Sequence, residues 1–210
     1  MTADNEADEF VCLIDDDASV RDALSDMLDA FGYAHRCFAN ASEYLKAKQK
    51  DVASCILLDV RLPDISGLDL QDMLAEETSP PIVFMSGFAD IPSTVRAIKK
   101  GAIEFLTKPI DRDALLKAVR EAQAKDREQR MRRAEIASIK ERFNSLTPRE
   151  REVFGLVVEG MLNKQSAHIL GISEATLQVH RGQIMRKMKP NSFAELVRMS
   201  SKLNVLDQKN

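Results

Sequence analysis

Five side chains in this sequence have the types and the spacing for chemistry, and each stands where a predicted strand ends. Phe10-Val11-Cys12-Leu13-Ile14 runs into Asp15-Asp16-Asp17, and Cys55-Ile56-Leu57-Leu58 runs into Asp59. Ile82-Val83-Phe84-Met85 ends on Ser86-Gly87, and Glu104-Phe105-Leu106-Thr107 ends on Lys108-Pro109. Two buried strands that end on carboxylates can place those carboxylates side by side. At about 4 Å and an effective dielectric of about 20, two like charges repel by roughly 4 kcal/mol. A cation relieves this, and an all-oxygen site that keeps some of its waters suits Mg²⁺. Asp15 and Asp16 are the metal-facing pair in this reading. Asp17 fits equally well as a helix N-cap, since Asp favours the first turn and its dipole. A hydroxyl (Ser86) and an ammonium (Lys108) at neighbouring strand ends could bind the oxygens of a phosphoryl group on Asp59, with Lys acting as a point charge. Singly, each residue has a plainer reading: Asp59 as a loop cap, Ser86 as a turn residue, Lys108 as a solvated charge. The Lys108-Pro109 bond is a candidate cis bond that would aim the lysine.

The elements that must hold these residues are legible in the hydrophobic pattern. Apolar runs bounded by turn formers, such as Pro63, Asp64, Ser66 and Gly67 after Asp59, read as buried strands. Between them lie helical stretches. Residues 18–31 carry Val20, Leu24, Met27, Leu28 and Phe31 at helical spacing, and Gly32 stops them. Ala34 to Phe38 reads as a short strand, Ala41 to Lys48 and Gly67 to Glu76 as helices, and Ser93 as the cap of a helix reaching Lys100. Strands alternating with helices of this length indicate βαβ units and a parallel sheet. In open parallel sheets, ligand sites lie just past the carboxyl ends of the strands.

Asp15-Asp16, Asp59, Ser86 and Lys108-Pro109, in that order and spacing, resemble the receiver domain of two-component response regulators. The resemblance implies a flavodoxin-like five-stranded sheet of order 2-1-3-4-5. It implies that a sensor histidine kinase phosphorylates Asp59, and that Asp15, Asp16, Asp59 and the backbone carbonyl of Arg61 hold Mg²⁺. Ser86 and Lys108 would bind the phosphoryl oxygens, and Phe105 would be the aromatic switch residue. Ser86 stands where Thr is also common in the family; both offer a hydroxyl.

At 210 residues the chain is long enough for two domains. Residues 1–125 carry a net charge of −9 and residues 126–210 a net charge of +6, which the overall −3 conceals. Such asymmetry separates an acidic half from a basic half suited to nucleic acid. The three cysteines, Cys12, Cys37 and Cys55, form no CxxC pair, and all fall in predicted strands, so buried reduced thiols are expected. No signal peptide opens the chain and no apolar run approaches the roughly 18 residues of a membrane span, so a cytoplasmic protein with no membrane partner is expected.

From Asp111 a helical pattern runs without Gly or Pro to Leu146. Leu115, Leu116, Val119 and Ala122 give it a core-facing stripe, and beyond Ala124 charge covers every side. A polar helix continuous with a packed one reads as a solvent-bridging linker. Disorder and a dimeric coiled coil are the alternatives. The boundaries expected are 1–124, a linker at 125–142 and a second domain at 143–210.

The basic half opens on a helix start, with Thr147 at the N-cap, Pro148 at N1 and Glu150 completing a capping box. Lys164 to Leu170 reads as a short helix with Asn163 as a possible cap, and Gly171-Ile172-Ser173 as a tight turn into a third helix ending near Met188. Two short helices around a Gly-containing turn fit a helix-turn-helix, although any small bundle shares that spacing. Leu146-Thr147-Pro148-Arg149-Glu150, Asn163-Lys164, Ala167, Leu170-Gly171-Ile172-Ser173, Thr176, Val179-His180, Ile184 and Lys187-Met188 resemble the LuxR-type DNA-binding domain. The whole chain thus resembles a FixJ/NarL-type response regulator, the stretch from Asp90-Ile91-Pro92 to Lys108-Pro109 resembling the FixJ branch. The implied architecture is a receiver joined by a long helical linker to an all-α, four-helix helix-turn-helix domain.

The third helix would enter the major groove of promoter DNA with its N-terminal part at the base edges. Thr176, Gln178 and Val179 are the candidates nearest the bases, since Gln pairs with adenine and Val touches a thymine methyl. Lys164, Arg181, Arg186 and Lys187 are candidates for phosphates, which position without specifying. His180 fits either a DNA contact or a packed helix position. Leu177 replaces the commoner Val, and Gly182 stands where some members carry a basic base-contacting residue, at about 1 kcal/mol of helix propensity. The family further implies RNA polymerase as a partner and a homodimer on phosphorylation. A Mg²⁺-dependent hydrolase with an Asp nucleophile would favour an acid two residues after it, where Arg61 stands. A DNA binder whose receiver is never phosphorylated is the remaining alternative.

Overall fold

The computed structural model describes residues 9–47, 54–74, 79–87 and 91–207. Its elements are β1 (Val11–Ile14), α1 (Ala18–Ala30), β2 (His35–Phe38), α2 (Ala41–Ala47), β3 (Cys55–Asp59), α3 (Gly67–Met73), β4 (Ile82–Ser86), α4 (Ile91–Lys99), β5 (Glu104–Thr107), α5 (Arg112–Asn144), α6 (Pro148–Val158), α7 (Asn163–Leu170), α8 (Glu174–Met188) and α9 (Phe193–Asp207). The chain forms two compact units, residues 1–129 and 130–210.

The first unit is a five-stranded parallel sheet in the order β2-β1-β3-β4-β5. Its register pairs Leu13 with Leu57, Leu58 with Phe84 and Ser86 with Thr107. Every residue of β1, β3 and β4 is buried, because helices cover both faces of a parallel sheet. Alternate residues feed two cores. Ile14, Ile56, Leu58 and Phe84 face a cluster with Tyr44, Leu68 and Ala97, contributed by α2, α3 and α4. Leu13, Leu57, Val83 and Met85 face Leu24, Leu28, Leu115 and Val119, contributed by α1 and α5. The two cores clamp the strands in register, and with them the residues at the strand ends.

Three local expectations are corrected. Cys37 is exposed, unlike Cys12 and Cys55, because β2 is an edge strand whose middle residues Arg36 and Cys37 face outward. Ser93 lies inside α4 and does not cap it; the helix starts at Ile91, with Pro92 tolerated in the first turn, where its missing N–H leaves no bond unmade. Asn163 is the first residue of α7 and not its cap. Gln165 Oε1 accepts from Leu162 N–H at 3.1 Å at that entry, and Asn163 Oδ1 accepts instead from Arg181. The expected helix ends at Lys48 and Glu76, and Asp90, lie outside the described residues.

The second unit is all-α. α5 is one helix of 33 residues, and its Ile139 joins Leu146, Val153, Phe154, Leu177, Ile184 and Leu196 in a single core. The capping box at α6 is formed as its sequence predicts: Glu150 N–H donates to Thr147 Oγ1 at 3.2 Å, and Thr147 N–H to Glu150 Oε2 at 2.7 Å. Gly171 closes α7 with φ +63°, a left-handed conformation that favours glycine, and Ser173 then caps α8 by accepting from Thr176 N–H at 3.1 Å. None of the described helices is long and apolar enough to cross a membrane.

Candidate phosphoacceptor site and nucleic-acid interface

Asp15, Asp16 and Asp59 converge at the carboxyl edge of the sheet, each offering one oxygen, all within 4.8 Å of one another. Asp15 is fully buried and Asp59 nearly so, whereas Asp16 is exposed. The backbone fixes the buried pair. Asp15 Oδ1 accepts from Asp17 N–H and Asp59 Oδ1 from Arg61 N–H, both at 3.0 Å. Lys108 comes in from the end of β5 and its ammonium donates to Asp15 Oδ2 at 2.6 Å and to Asp59 Oδ2 at 2.5 Å. One cation thus offsets a like-charge repulsion that would reach roughly 4 kcal/mol at 4 Å. Burial pushes the Asp15 carboxyl above the ordinary carboxylate range, only partly opposed by the Lys108 hydrogen bond. Burial also works against the Lys108 charge, but the two carboxylates outweigh it and hold the ammonium above its usual value. Three hard oxygen donors, one of them open to water, fit Mg²⁺.

Ser86 is buried at the end of β4, and its carbonyl accepts from Lys108 N–H at 2.8 Å, so the two strand ends are tied by backbone. The Lys108-Pro109 peptide is cis. Phe105 is half-buried and stacks on Phe84, with ring centroids 6.1 Å apart. Asp17 caps α1, accepting from Ser19 N–H at 2.9 Å.

Sequence reasoning passed over two residues that shape this edge. Arg21 Nη1 donates to the Asp15 carbonyl at 2.7 Å. Gly67 lies against the end of β3 so closely that a Cβ there would sit 2.2 Å from the Asp59 carbonyl oxygen. Gly67 was visible as a turn former, but its close approach is a tertiary fact with no local signal.

In the second unit, α8 buries Leu177, Ile184 and Met188 and turns Thr176, Gln178, Val179, Gly182 and Arg186 outward. Gln178 and Val179 stand next to each other on this face, and Val179 is 62% exposed, an apolar side chain in water. The Thr176 hydroxyl lies 2.9 Å from Ser173 Oγ, so it is shared with the cap. Lys164 is exposed at the start of α7. Three of the basic candidates have partners within the unit. Arg181 donates to Asn163 Oδ1 at 2.6 Å and lies 5.7 Å from the Phe193 ring centroid. Arg186 donates to Gln183 Oε1 at 2.5 Å. Lys187 donates to Glu150 Oε2 at 2.6 Å and to the Ser145 carbonyl at 3.3 Å, on the α6 side of the core. His180 is half-buried.

An acid cluster at parallel strand ends and an outward-facing helix after a glycine turn fit a receiver joined to a helix-turn-helix. Comparison with known families agrees: residues 11–120 match the response regulator receiver domain, and residues 144–200 match the LuxR family of bacterial regulatory proteins. The chain belongs to the response regulators with a receiver and a LuxR-type DNA-binding domain, a family of transcriptional regulators whose two domains imply a histidine kinase partner and DNA binding. Among its relatives, nodulation protein W of Bradyrhizobium diazoefficiens is 43% identical over 197 residues, covering 93% of this chain and 87% of that protein. The transcriptional regulatory protein FixJ of the same organism is 36% identical over 198 residues, covering 94% and 97%. The solved structure of the response regulator StyR superposes with a TM-score of 0.81 at 41% identity, covering 93% of this chain and 100% of that one.

Proposed function

We propose that this protein is a transcriptional regulator switched by phosphorylation of Asp59. The observation that carries this is the convergence of Asp15, Asp16, Asp59 and Lys108 at one sheet edge, in the same chain as an exposed recognition helix. Asp15, Asp16, Asp59 and the Arg61 carbonyl would hold Mg²⁺, which when bound supplies neutralising charge for the incoming phosphoryl group. Asp59 attacks the phosphorus of a kinase phosphohistidine, and the bond from phosphorus to imidazole nitrogen breaks. Lys108 then pairs with a phosphoryl oxygen and Ser86 donates its hydroxyl to another. The receiver catalyses its own phosphorylation and dephosphorylation and turns over no other substrate.

The added negative charge gives no direct help to DNA binding, so it acts by biasing a two-state element. Ser86 drawn to the phosphoryl oxygens vacates space for Phe105, which reshapes the surface of α4, β5 and the start of α5. A homodimer formed there presents two helix-turn-helix domains, each reached through a linker at residues 125–142, to half-sites about one helical turn, roughly 34–36 Å, apart. Thr176, Gln178 and Val179 meet the bases, while Lys164, Arg181 and Arg186 meet phosphates. Lys187 also serves phosphate if DNA competes it away from Glu150, and His180 lines the same interface. Promoter-bound dimers then engage RNA polymerase, in the cytoplasm. The test is analytical ultracentrifugation and DNA binding before and after treatment with acetyl phosphate and Mg²⁺. Dimerisation and tighter DNA binding after treatment are expected; monomers that bind DNA equally well in both forms would remove the switch.

A further inference from the structure

Asp64 sits at the tip of the loop after Asp59, and none of the chemistry above uses it. Its carboxylate nevertheless accepts four hydrogen bonds. Oδ1 takes Ile65 N–H at 3.0 Å and Ala41 N–H at 3.3 Å; Oδ2 takes Ser42 N–H at 2.8 Å and Ser42 Oγ at 2.7 Å. The Ala41 and Ser42 donors lie on α2, more than twenty residues away in sequence.

The start of α2 explains why they are available. A helix leaves its first N–H groups without intrahelical partners. Asn40 Oδ1 accepts from Glu43 N–H at 2.9 Å, and Glu43 Oε2 accepts from Ala39 N–H at 3.0 Å, a local box that satisfies both ends of its own span. Ala41 N–H and Ser42 N–H remain, and Asp64 takes both. The Ser42 hydroxyl and these N–H groups hold the Asp64 carboxyl down at about 2, so it is charged at any physiological pH.

The loop between β3 and α3 is otherwise held by its base and by its apolar residues. Arg61 and Ser66 form an antiparallel bridge, Gly67 N–H donates to the Val60 carbonyl at 2.9 Å, and Leu62 and Ile65 pack against the core. Asp64 is the one polar side chain among residues 62–65. The order β2-β1-β3 puts the β2–α2 and β3–α3 connections on either side of β1, whose end carries Asp15 and Asp16. Asp15 N–H in turn donates to the Phe38 carbonyl, the last residue of β2, at 3.2 Å.

We propose that Asp64 is a positioning residue for the metal site. By fastening the loop after Asp59 to the start of α2, it fixes the Arg61 carbonyl relative to Asp15 and Asp16. This rests on the Mg²⁺ assignment above, and it adds an outer support that touches neither ion nor phosphoryl group. Groups hydrogen-bonded directly to a metal ligand change metal affinity by about 10–100-fold when removed, and a support acting through the loop backbone belongs at or below the low end of that range.

Isothermal titration of the full-length, unphosphorylated protein with MgCl₂ tests it, alongside thermal melts in EDTA. Asp64→Ala should raise the Mg²⁺ dissociation constant about tenfold, the low end of that range because the cap is exposed. Ser42→Ala, which leaves the loop untouched and removes one donor, should raise it about threefold. Asp64→Asn keeps an acceptor oxygen and should recover part of the loss. If Asp64→Ala melts earlier but binds Mg²⁺ as tightly as the unmodified chain, Asp64 is a helix cap and nothing more. If Asp64→Ala does not fold, Ser42→Ala decides, and unchanged affinity there overturns the proposal. An unmodified chain that binds no Mg²⁺ overturns the metal assignment itself, and this role with it.

Discussion

Asp15 and Asp59 are held in the first unit by buried strands, backbone N–H groups and a shared lysine, whereas Gln178 and Val179 in the second project into water from a helix packed only on its other side. The difference follows from what each must do. If Asp59 accepts a phosphoryl group as proposed, the reacting atoms must lie within a few tenths of an ångström of their places, which a close-packed frame provides. The DNA-reading role proposed for the second face needs side chains that reach a partner outside the protein, so its precision lies in the helix, and its side chains stay open. Substitutions of the reacting groups in the first region should therefore act nearly all-or-none, and those in the second by graded, separable amounts.

The largest effect expected is at Asp59. Asp59→Asn keeps the shape and removes the nucleophile, and intact-mass measurement after acetyl phosphate treatment should find no added phosphoryl group, against a single one in the unmodified chain. Phosphoryl uptake undiminished in this variant would sink the assignment of Asp59.

Next comes Gly67→Ala, which tests whether the frame can give way. Its new methyl would meet a backbone carbonyl and not a flexible side chain. Calorimetry should show the receiver destabilised by about 1–3 kcal/mol or more. A shift within about 0.5 kcal/mol, typical of a surface substitution, would mean the frame is looser than its packing implies.

Gln178→Ala should behave differently. It should cost about 1–3 kcal/mol of discrimination between preferred and altered sites while leaving non-specific binding intact. A uniform loss across sequences, read by fluorescence anisotropy, would make Gln178 a phosphate contact and blur the contrast between the two regions.

The smallest effect concerns a buried charge in the second unit. Burial works against ionisation of Glu150, but the Lys187 ammonium and Thr147 N–H prevail and hold its carboxyl below the usual range. A depressed folded value means that the pair's contribution is complete above the ordinary glutamate pKa of about 4.3 and is lost as pH falls through the lower folded value. Glu150→Gln should cost about 1 kcal/mol at neutral pH and flatten the acid limb of that unit's melting curve. An acid limb unchanged by the substitution would show that Glu150 is not the group responsible.

The same contrast decides what the sequence could disclose. The ends of β1, β3 and β4 were readable because a fully buried strand is a continuous apolar run, so the residue that ends it stands out. The cap at Thr147 and the turn at Gly171 were readable because their partners lie within a few residues. What stayed hidden is what crosses the chain. Nothing near Asp64 points to Ala41 and Ser42, nor near Lys187 to Glu150, and both pairings exist only once the cores have formed. The exposure of Cys37 was missed although the implied order 2-1-3-4-5 already put β2 at the edge: the pattern marks a strand without saying which of its residues are covered.

That edge position has a practical side. Burial pushes the Cys12 thiol up to about 12 and raises Cys55 too, which leaves neither with thiolate or access for an alkylating reagent at neutral pH. Cys37 faces outward on β2, its sulfur 3.2 Å from the Ser25 hydroxyl. The unaltered chain therefore offers one addressable thiol, and a maleimide dye or nitroxide placed on it would ride on the strand at the opposite margin of the sheet from β5.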